Sequence, residues 1–499
     1  MSNKPFRIIT GIASLVFILL ACIILLSDLR SYRGQSSILP EGLKVNGIPL
    51  SNLSLEEAAS RLEAVFSSPV ELRYKGQRMQ FTPLELGYSV DVSSTFKNID
   101  QSLSKKGYWA HLWNRSTKID LQIPLKSSLD STQLAAFLTD QVSARYDKQP
   151  TAPLPIPGTT NFNPGNPGTS LQVSGAIDKI SAALSDPYKR VVELPVEEQN
   201  ALMLNPVNLE TFLNQEIRSQ EFSGLVEIYL DDLTGDQDLH FANQQYQAVP
   251  PDIAFSAAST IKIPIMVSTL ARIAEPTPPD VQDLLERMIV FSENPPADTL
   301  MSRYIDEDRG PLVVTADMQA LGLQNTFLAG YFYTGAPVLQ LFSTPANTRR
   351  DVFLDPDVYN QTVSSEIGDL LAQVYSCAKA DLSSTSFSNI FGTELTQSEC
   401  QNIIDLLSRN YIGLLFQGGM PAKATIAHKH GWTSELDGLL HSMSDAGIIY
   451  TPGGNFVLVI SIYSPDQLVF YEGNWLFARL SQTIYNAFNI EDQAYWWIE

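Results

Sequence analysis

Ser259-Thr-Ile-Lys262 sets a hydroxyl and an amine one helical turn apart, on the same face. A serine hydroxyl is a poor nucleophile until a neighbour accepts its proton. A lysine can do so only as a free amine, which burial or a nearby cation must produce. The spacing recurs at Ser94-Thr-Phe-Lys97 and Ser102-Leu-Ser-Lys105, where it reads as a solvated helix face, so alone it carries little. Ser259 is set apart by the residues downstream of it. Phe291-Ser292-Glu293-Asn294 supplies a second hydroxyl and an amide, and His428-Lys429-His430-Gly431-Trp432 brings a second amine in a strand-like stretch. Taken singly, Ser292 reads as a helix cap and Lys429 as a solvated strand residue. Together they place two hydroxyls, two amines and an amide in one chain order.

This order, SxxK, then SxN, then K-x-G ahead of the strand Phe456-Val-Leu-Val-Ile-Ser-Ile-Tyr, resembles the triple signature of class A β-lactamases and penicillin-binding proteins. The serine's setting in Ala257-Ala-Ser-Thr is similar too, and the likeness covers residues 206–490. The resemblance implies that Ser259 is the nucleophile and Lys262 its proton acceptor. Ser292 would relay a proton to the leaving nitrogen, and Asn294 would orient both substrate and Lys262. Lys429 would offer positive field to a substrate carboxylate and lower the Lys262 amine's pKa. His430, Gly431 and Trp432 would line the substrate strand, with the N–H groups of Ser259 and Trp432 as the oxyanion hole. The implied substrate is a β-lactam or a peptidoglycan stem peptide, with no cofactor and no metal. The five histidines show no ligand spacing, although His428 and His430 share a strand face at i, i+2.

Three positions depart from that pattern. Glu293 stands where the family has Asp, and His430 where it has the Thr that helps hold the substrate carboxylate. The third departure concerns deacylation, for which class A enzymes use an Ω-loop glutamate. Between Asn294 and Thr362 the only glutamate is Glu307, too early for that loop. Asp351, Asp355 and Asp357 are candidate substitutes without the family's context. The acyl-enzyme should therefore hydrolyse slowly. A catalytically weak or inactive cell-wall-binding protein, or a D,D-carboxypeptidase-like enzyme, stands as the alternative. The stretch from Lys262 to Ser292 is short, which implies loss of the hairpin that borders the site.

To position these groups the chain needs an α+β catalytic domain of two lobes at 206–499. An antiparallel sheet would draw on Leu225 to Tyr229 and Gly447 to Ser461, with the helix Trp475 to Phe488 packed on it. An all-α lobe inserted between them would carry Ser292, leaving the nucleophile at the lobe interface.

The rest of the chain places that domain. With 499 residues, 44% hydrophobic and 17% charged, the sequence reads as a multidomain globular protein. Its net charge of -21 leaves no basic footprint for nucleic acid. Residues 1–33 hold a short cytoplasmic stub and the apolar run Ile8 to Leu26, long enough for a single-pass signal anchor in the cell membrane, with the body extracytoplasmic. Leu19-Leu20-Ala21-Cys22 also resembles a lipobox, and a cleaved signal is a further alternative. Residues 34–205 form a spacer region. Within it, Ser54-Leu-Glu-Glu opens a helix with Ala58, Leu62 and Val65 on its apolar stripe. Val70 to Tyr74 and Met79 to Phe81 form a hairpin about Lys75-Gly76-Gln77. Over residues 40–100 this order resembles the YoaR-like peptidoglycan-binding module of bacterial envelope proteins. The Pro/Gly-rich stretch 151–170 reads as a loop, followed by a helix at Ala176 to Leu184 and a strand at Arg190 to Val196. Outside the cytoplasm, Cys377 and Cys400 are free to pair; two separate buried thiols are the alternative.

Overall fold

Runs of three to twelve residues, the longer ones rich in apolar and β-branched side chains, build the sheet that organises the C-terminal half. The structure, a computed structural model, describes residues 4–35, 38–104, 121–202, 204–235, 237–380, 387–391, 395–410, 412, 415–435 and 437–495. The chain divides into two compact units, Met1–Thr151 with Pro167–Asn200, and Ala152–Asn166 with Ala201–Glu499.

In the first unit, helix Lys4–Gln35 contains the apolar run, whose large side chains between Leu15 and Leu26 are exposed. Among the described residues no helix is long and apolar enough to cross a membrane, so the expected span finds no support here. Helix Leu55–Phe66 starts on a capping box, Ser54 with Glu57. Its buried stripe is Ala58, Leu62 and Phe66; Val65, expected there, is only half-buried because the register turns Phe66 inward. Val70–Tyr74 and Gln77–Phe81 pair through Lys75 and Gly76, both at positive φ, as a two-residue hairpin turn requires. Val191–Glu193 joins the same sheet in parallel, and helix Val173–Ser185 covers it with Ala176, Ile180 and Leu184.

The Pro/Gly-rich stretch is more ordered than a loop reading allows. Leu154–Pro155 pairs with Phe162–Asn163 within the second unit, and Gly168–Leu171 pairs with Val196–Gln199 within the first. The hairpin is held by Phe162, buried edge-on against Phe212, and by Thr160, whose hydroxyl donates to Gln482 at 2.5 Å. One buried aromatic ring and satisfied polar groups outweigh a composition that disfavours long ladders.

The second unit carries a six-stranded antiparallel sheet of β1 (Leu225–Asp232), β2 (Leu239–Gln244), β3 (Gln247–Val249), β4 (Thr425–Ser434), β5 (Leu440–Thr451) and β6 (Gly454–Tyr463), in the order β3-β2-β1-β6-β5-β4. Pairing β1 to β6 joins the two ends of the domain, so the strands expected near 225 and 447–461 are neighbours. One face of the sheet packs on helix Pro206–Ser219 and the C-terminal helix Phe470–Phe488. The other face meets a lobe whose core runs from Ala257 through Leu407 and includes sheet residues Ala427, Ala446 and Val457. That lobe is not the all-α lobe that was expected, because Phe255–Ser256, Phe327–Leu328 and Asn360–Thr362 form a small sheet. Thr326, hydrogen-bonded to both Thr362 and Glu366, fixes it. Between Lys262 and Ser292 there are two helices, Lys262–Leu270 and Pro279–Ile289, and no hairpin. Helices Ser364–Ala378 and Gln397–Ser408 are joined by the Cys377–Cys400 disulfide, and Cys22 is an exposed free thiol.

Candidate active site

Ser259 lies in a 3₁₀ turn, Ala258–Ile261, that runs directly into helix Lys262–Leu270. Ala258 holds φ of +47° and Ser292 φ of +61°, conformations that cost L-residues roughly 1–3 kcal/mol each and that persist where the surroundings impose them. The effect is to bring the Ser259 hydroxyl and the Ser292 carbonyl oxygen to one amine.

That amine is Lys262, whose side chain is fully buried. Its Nζ lies 3.0 Å from Ser259 Oγ, 2.7 Å from the carbonyl oxygen of Ser292 and 2.8 Å from Asn294 Oδ1. Counting hydrogens shows what this geometry does. A free amine has two N–H groups and one lone pair. The two carbonyl-type acceptors take both hydrogens, so the lone pair is left facing the Ser259 hydroxyl. Burial pushes the Lys262 amine down to about 7, against the opposing pull of Asp298 and Glu293. Glu293, in place of the family's Asp, turns outward and pairs with Arg287 at 2.6 Å.

Lys429 enters from β4. Its Nζ donates to Ser292 Oγ at 2.9 Å and to the carbonyl oxygen of His430 at 3.1 Å. Burial, and then the Lys262 charge, push it down to about 7 as well. The two amines therefore flank Ser292 and share a low-dielectric site, and their protons come off as those of a coupled pair. Gly431 sits against the nucleophile's turn, where a Cβ would come within 2.7 Å of Ala257 O and 3.0 Å of Ser259 N. Only glycine permits that approach, which brings the β4 backbone beside the Ser259 N–H. Trp432 is half-buried and stacks on His430, with ring centroids 4.4 Å apart. Ser259, Lys262, Ser292, Asn294 and Lys429 thus converge, with His430, Gly431 and Trp432 along one edge.

No proposed deacylating aspartate faces this centre. Asp351 is paired with Arg349 at 2.6 Å. Asp357 accepts from Tyr359 N at 3.0 Å and Asn360 Nδ2 at 3.1 Å. Asp355 lines a separate cleft with Phe342 and Phe353. The loop over the lysine presents instead the Phe332 ring, 5.5 Å from Lys262 Nζ. Asp298 holds that loop by accepting from Phe332 N at 2.8 Å. Phe332, Asp298, Asn410 and Asp445 were not legible as site residues. Asp445 carried one signal, a carboxylate inside the apolar strand Leu440–Thr451.

Away from the site, Glu227, His240 and Asp252 lie close enough to share an ion. The Glu227 carboxylate already accepts from the backbone N–H groups of Asp252 and Ile253 at 3.0 and 3.1 Å, and contacts His240 at 2.9 Å. Its oxygens are satisfied without a metal.

Comparison with known proteins bears on the same half of the chain. Residues 273–488, less than half of the sequence, match the model of the β-lactamase enzyme family. The match begins beyond the Ser259–Lys262 turn, which rests on the geometry above. Among solved structures the chain is similar to PBP-A, at 20% identity over 58% of this chain and 99% of that one, with a TM-score of 0.41. A PBP-A variant solved as an acyl-enzyme with penicillin G gives 19%, 58%, 99% and 0.40. A class A β-lactamase from Bacteroides cellulosilyticus gives 15%, 57%, 99% and 0.40. No curated protein sequence matches the chain.

Proposed function

From the premise that the C-terminal domain is β-lactamase-like, we propose that it is a serine hydrolase acylated at Ser259 by β-lactams or peptidoglycan stem peptides, and that it deacylates slowly. The observation that carries this reading is the Lys262 amine, with both hydrogens taken by carbonyl oxygens and its lone pair toward Ser259 Oγ at 3.0 Å.

In the first step Oγ bonds to the substrate's carbonyl carbon while its proton passes to Lys262 Nζ. The carbonyl oxygen becomes an anion, met by the N–H groups of Ser259 and Trp432. As the tetrahedral intermediate collapses, the C–N bond breaks and the leaving nitrogen takes the Ser292 hydroxyl proton. The Lys429 ammonium, 2.9 Å from Ser292 Oγ, restores that proton; the proton held on Lys262 leaves to solvent and Lys429 takes one back, so both amines return to their starting state. The protonated share of Lys429, 2.9 Å from Ser292 Oγ, meets the substrate carboxylate. Completing the cycle needs a base that activates water on the acyl carbon. The Phe332 ring beside Lys262 supports a long-lived acyl-enzyme rather than efficient β-lactam destruction.

The cell-wall-binding alternative keeps the fold and forms no covalent bond. Labelling with a fluorescent penicillin separates the two. Wild type should be labelled and Ser259→Ala should not; equal labelling of both, or of neither, sinks the acylation reading.

We also propose that the apolar run Ile8 to Leu26 tethers the chain to the cell membrane, with the body outside and residues 40–100 on peptidoglycan. The exposed Phe17, Ile18 and Ile24 side chains support a lipid contact, and the Cys377–Cys400 disulfide an oxidising compartment. The peptidoglycan assignment rests on sequence likeness alone. Sodium carbonate extraction tests the tether, since release of the full chain into the wash contradicts it.

A further inference from the structure

Strand β4 carries two imidazoles on one face, His428 and His430, exposed by 0% and 3%. The network behind them fixes where their hydrogens sit. His428 Nδ1 lies 2.8 and 2.9 Å from the two carboxylate oxygens of Asp445, itself fully buried. Asp445 also accepts from Phe416 N at 3.2 Å. A carboxylate accepts only, so His428 carries a hydrogen on Nδ1, and Nε2, which faces an amide N–H, presents the ring's lone pair. Asn410 Nδ2 meets that lone pair at 3.0 Å and lies 2.8 Å from His430 Nδ1. The amide cannot be turned round, because its Oδ1 accepts from Ile412 N at 3.2 Å. Its two N–H hydrogens therefore go one to each ring. His430 Nδ1 accepts, and the hydrogen of the neutral ring must sit on Nε2.

Burial, and then the Lys429 charge, hold His430 down to about 2, so the ring stays neutral. Among the described residues, no hydrogen-bond partner is found for His430 Nε2. The residue nonetheless borders the site: its carbonyl oxygen accepts from Lys429 Nζ at 3.1 Å, and its ring lies on Trp432.

We propose that Asp445, His428 and Asn410 are positioning residues that lock His430 as its neutral Nε2–H tautomer, aimed as an obligate donor at the carboxylate of the substrate. The inference deepens the acylation reading and rests on it for the identity of the acceptor. A threonine hydroxyl can rotate to donate or accept, whereas an imidazole fixed in this way can only donate. The chain therefore selects substrates with an anionic oxygen acceptor, because a hydrogen bond to charge is about twice as strong as one to a neutral group.

Two readouts test it. Nitrogen-15 NMR of histidine-labelled protein, with the signal assigned through His430→Thr, should show His430 protonated on Nε2 alone. In Asn410→Asp a carboxylate replaces the donor, so His430 should carry hydrogen on Nδ1. The second readout is the ratio of acylation rates for benzylpenicillin and its methyl ester. Asn410→Asp should lower that ratio at least about tenfold, and should change it less than about twofold when placed on His430→Thr. A wild-type His430 protonated on Nδ1 overturns the proposal, as does an unchanged ratio in Asn410→Asp, or an equal fall in both backgrounds. If Asn410→Asp does not fold, the wild-type spectrum still decides. If wild type is acylated by neither compound, the acylation reading fails, while the tautomer is read independently.

Discussion

Replacing Asn294 with Asp leaves the shape of the site nearly unchanged and sets a carboxylate 2.8 Å from the Lys262 amine, where the amide oxygen now stands. Opposite charge in contact favours the ammonium and raises a lysine's pKa by roughly 1–3 units. A midpoint moved from about 7 to roughly 9 cuts the free-amine fraction at pH 7 from about one half to about one hundredth. Acylation at pH 7 should then fall roughly fiftyfold, or about 2 kcal/mol of barrier. The assay is the second-order rate of acylation by a fluorescent penicillin from pH 5 to 10. Wild type should rise with pH and level off above about 7; the variant should still be rising above pH 8. The sign also holds for stability. Folding lowers the Lys262 pKa below its unfolded value, so the ammonium is disfavoured in the fold. This penalty is fully felt below about pH 7 and disappears near the unfolded value of about 10.4. The added carboxylate narrows that gap, so Asn294→Asp should raise and not lower the thermal midpoint at pH 6, which excludes misfolding as the cause. A wild-type limb near pH 10, or a variant limb that does not move, refutes the free-amine account.

Gly431→Ala drives a Cβ into two backbone atoms of the nucleophile's turn. It should cost about 1–3 kcal/mol in denaturant titration and slow acylation roughly a hundredfold through the displaced oxyanion hole. Cys377→Ser opens a link across 23 residues and should cost about 3 kcal/mol, read by calorimetry as a fall in melting temperature of roughly 6 °C or more. Phe332→Glu places a carboxylate over Lys262 and should speed deacylation by at least about tenfold, followed by release of a labelled penicilloyl group.

The catalytic set was legible because each part is local in sequence. Ser259 and Lys262 share one turn, and Ser292 and Asn294 one loop. Lys429 and Gly431 share one face of a strand, and no long-range fact is needed to recognise any of the three pieces. The sheet was legible for the same reason, since β5 and β6 are nearly continuous runs of buried residues. What stayed hidden depends on contacts between distant residues. Asn410 reaches two histidines 18 and 20 positions away, and Asp445 meets His428 only because β4 and β5 pair in the register His430↔Asp445. Phe332 lies in a loop with no periodicity, and its place over Lys262 is set by the Asp298 hydrogen bond. The turn at Ala258–Ile261 was expected as α-helix and is 3₁₀, because the strained Ala258 tightens it. The 154–163 hairpin was masked by its prolines and glycines, while Phe162 alone signalled burial.

The reaction of excess nitrocefin with the protein, followed by absorbance from the first seconds, tests the account most directly. The account predicts a burst of one ring opened per Ser259, lost in Ser259→Ala, then a steady phase far slower than the burst. No burst would contradict the nucleophile assignment, and rapid linear turnover would contradict the proposed slow deacylation.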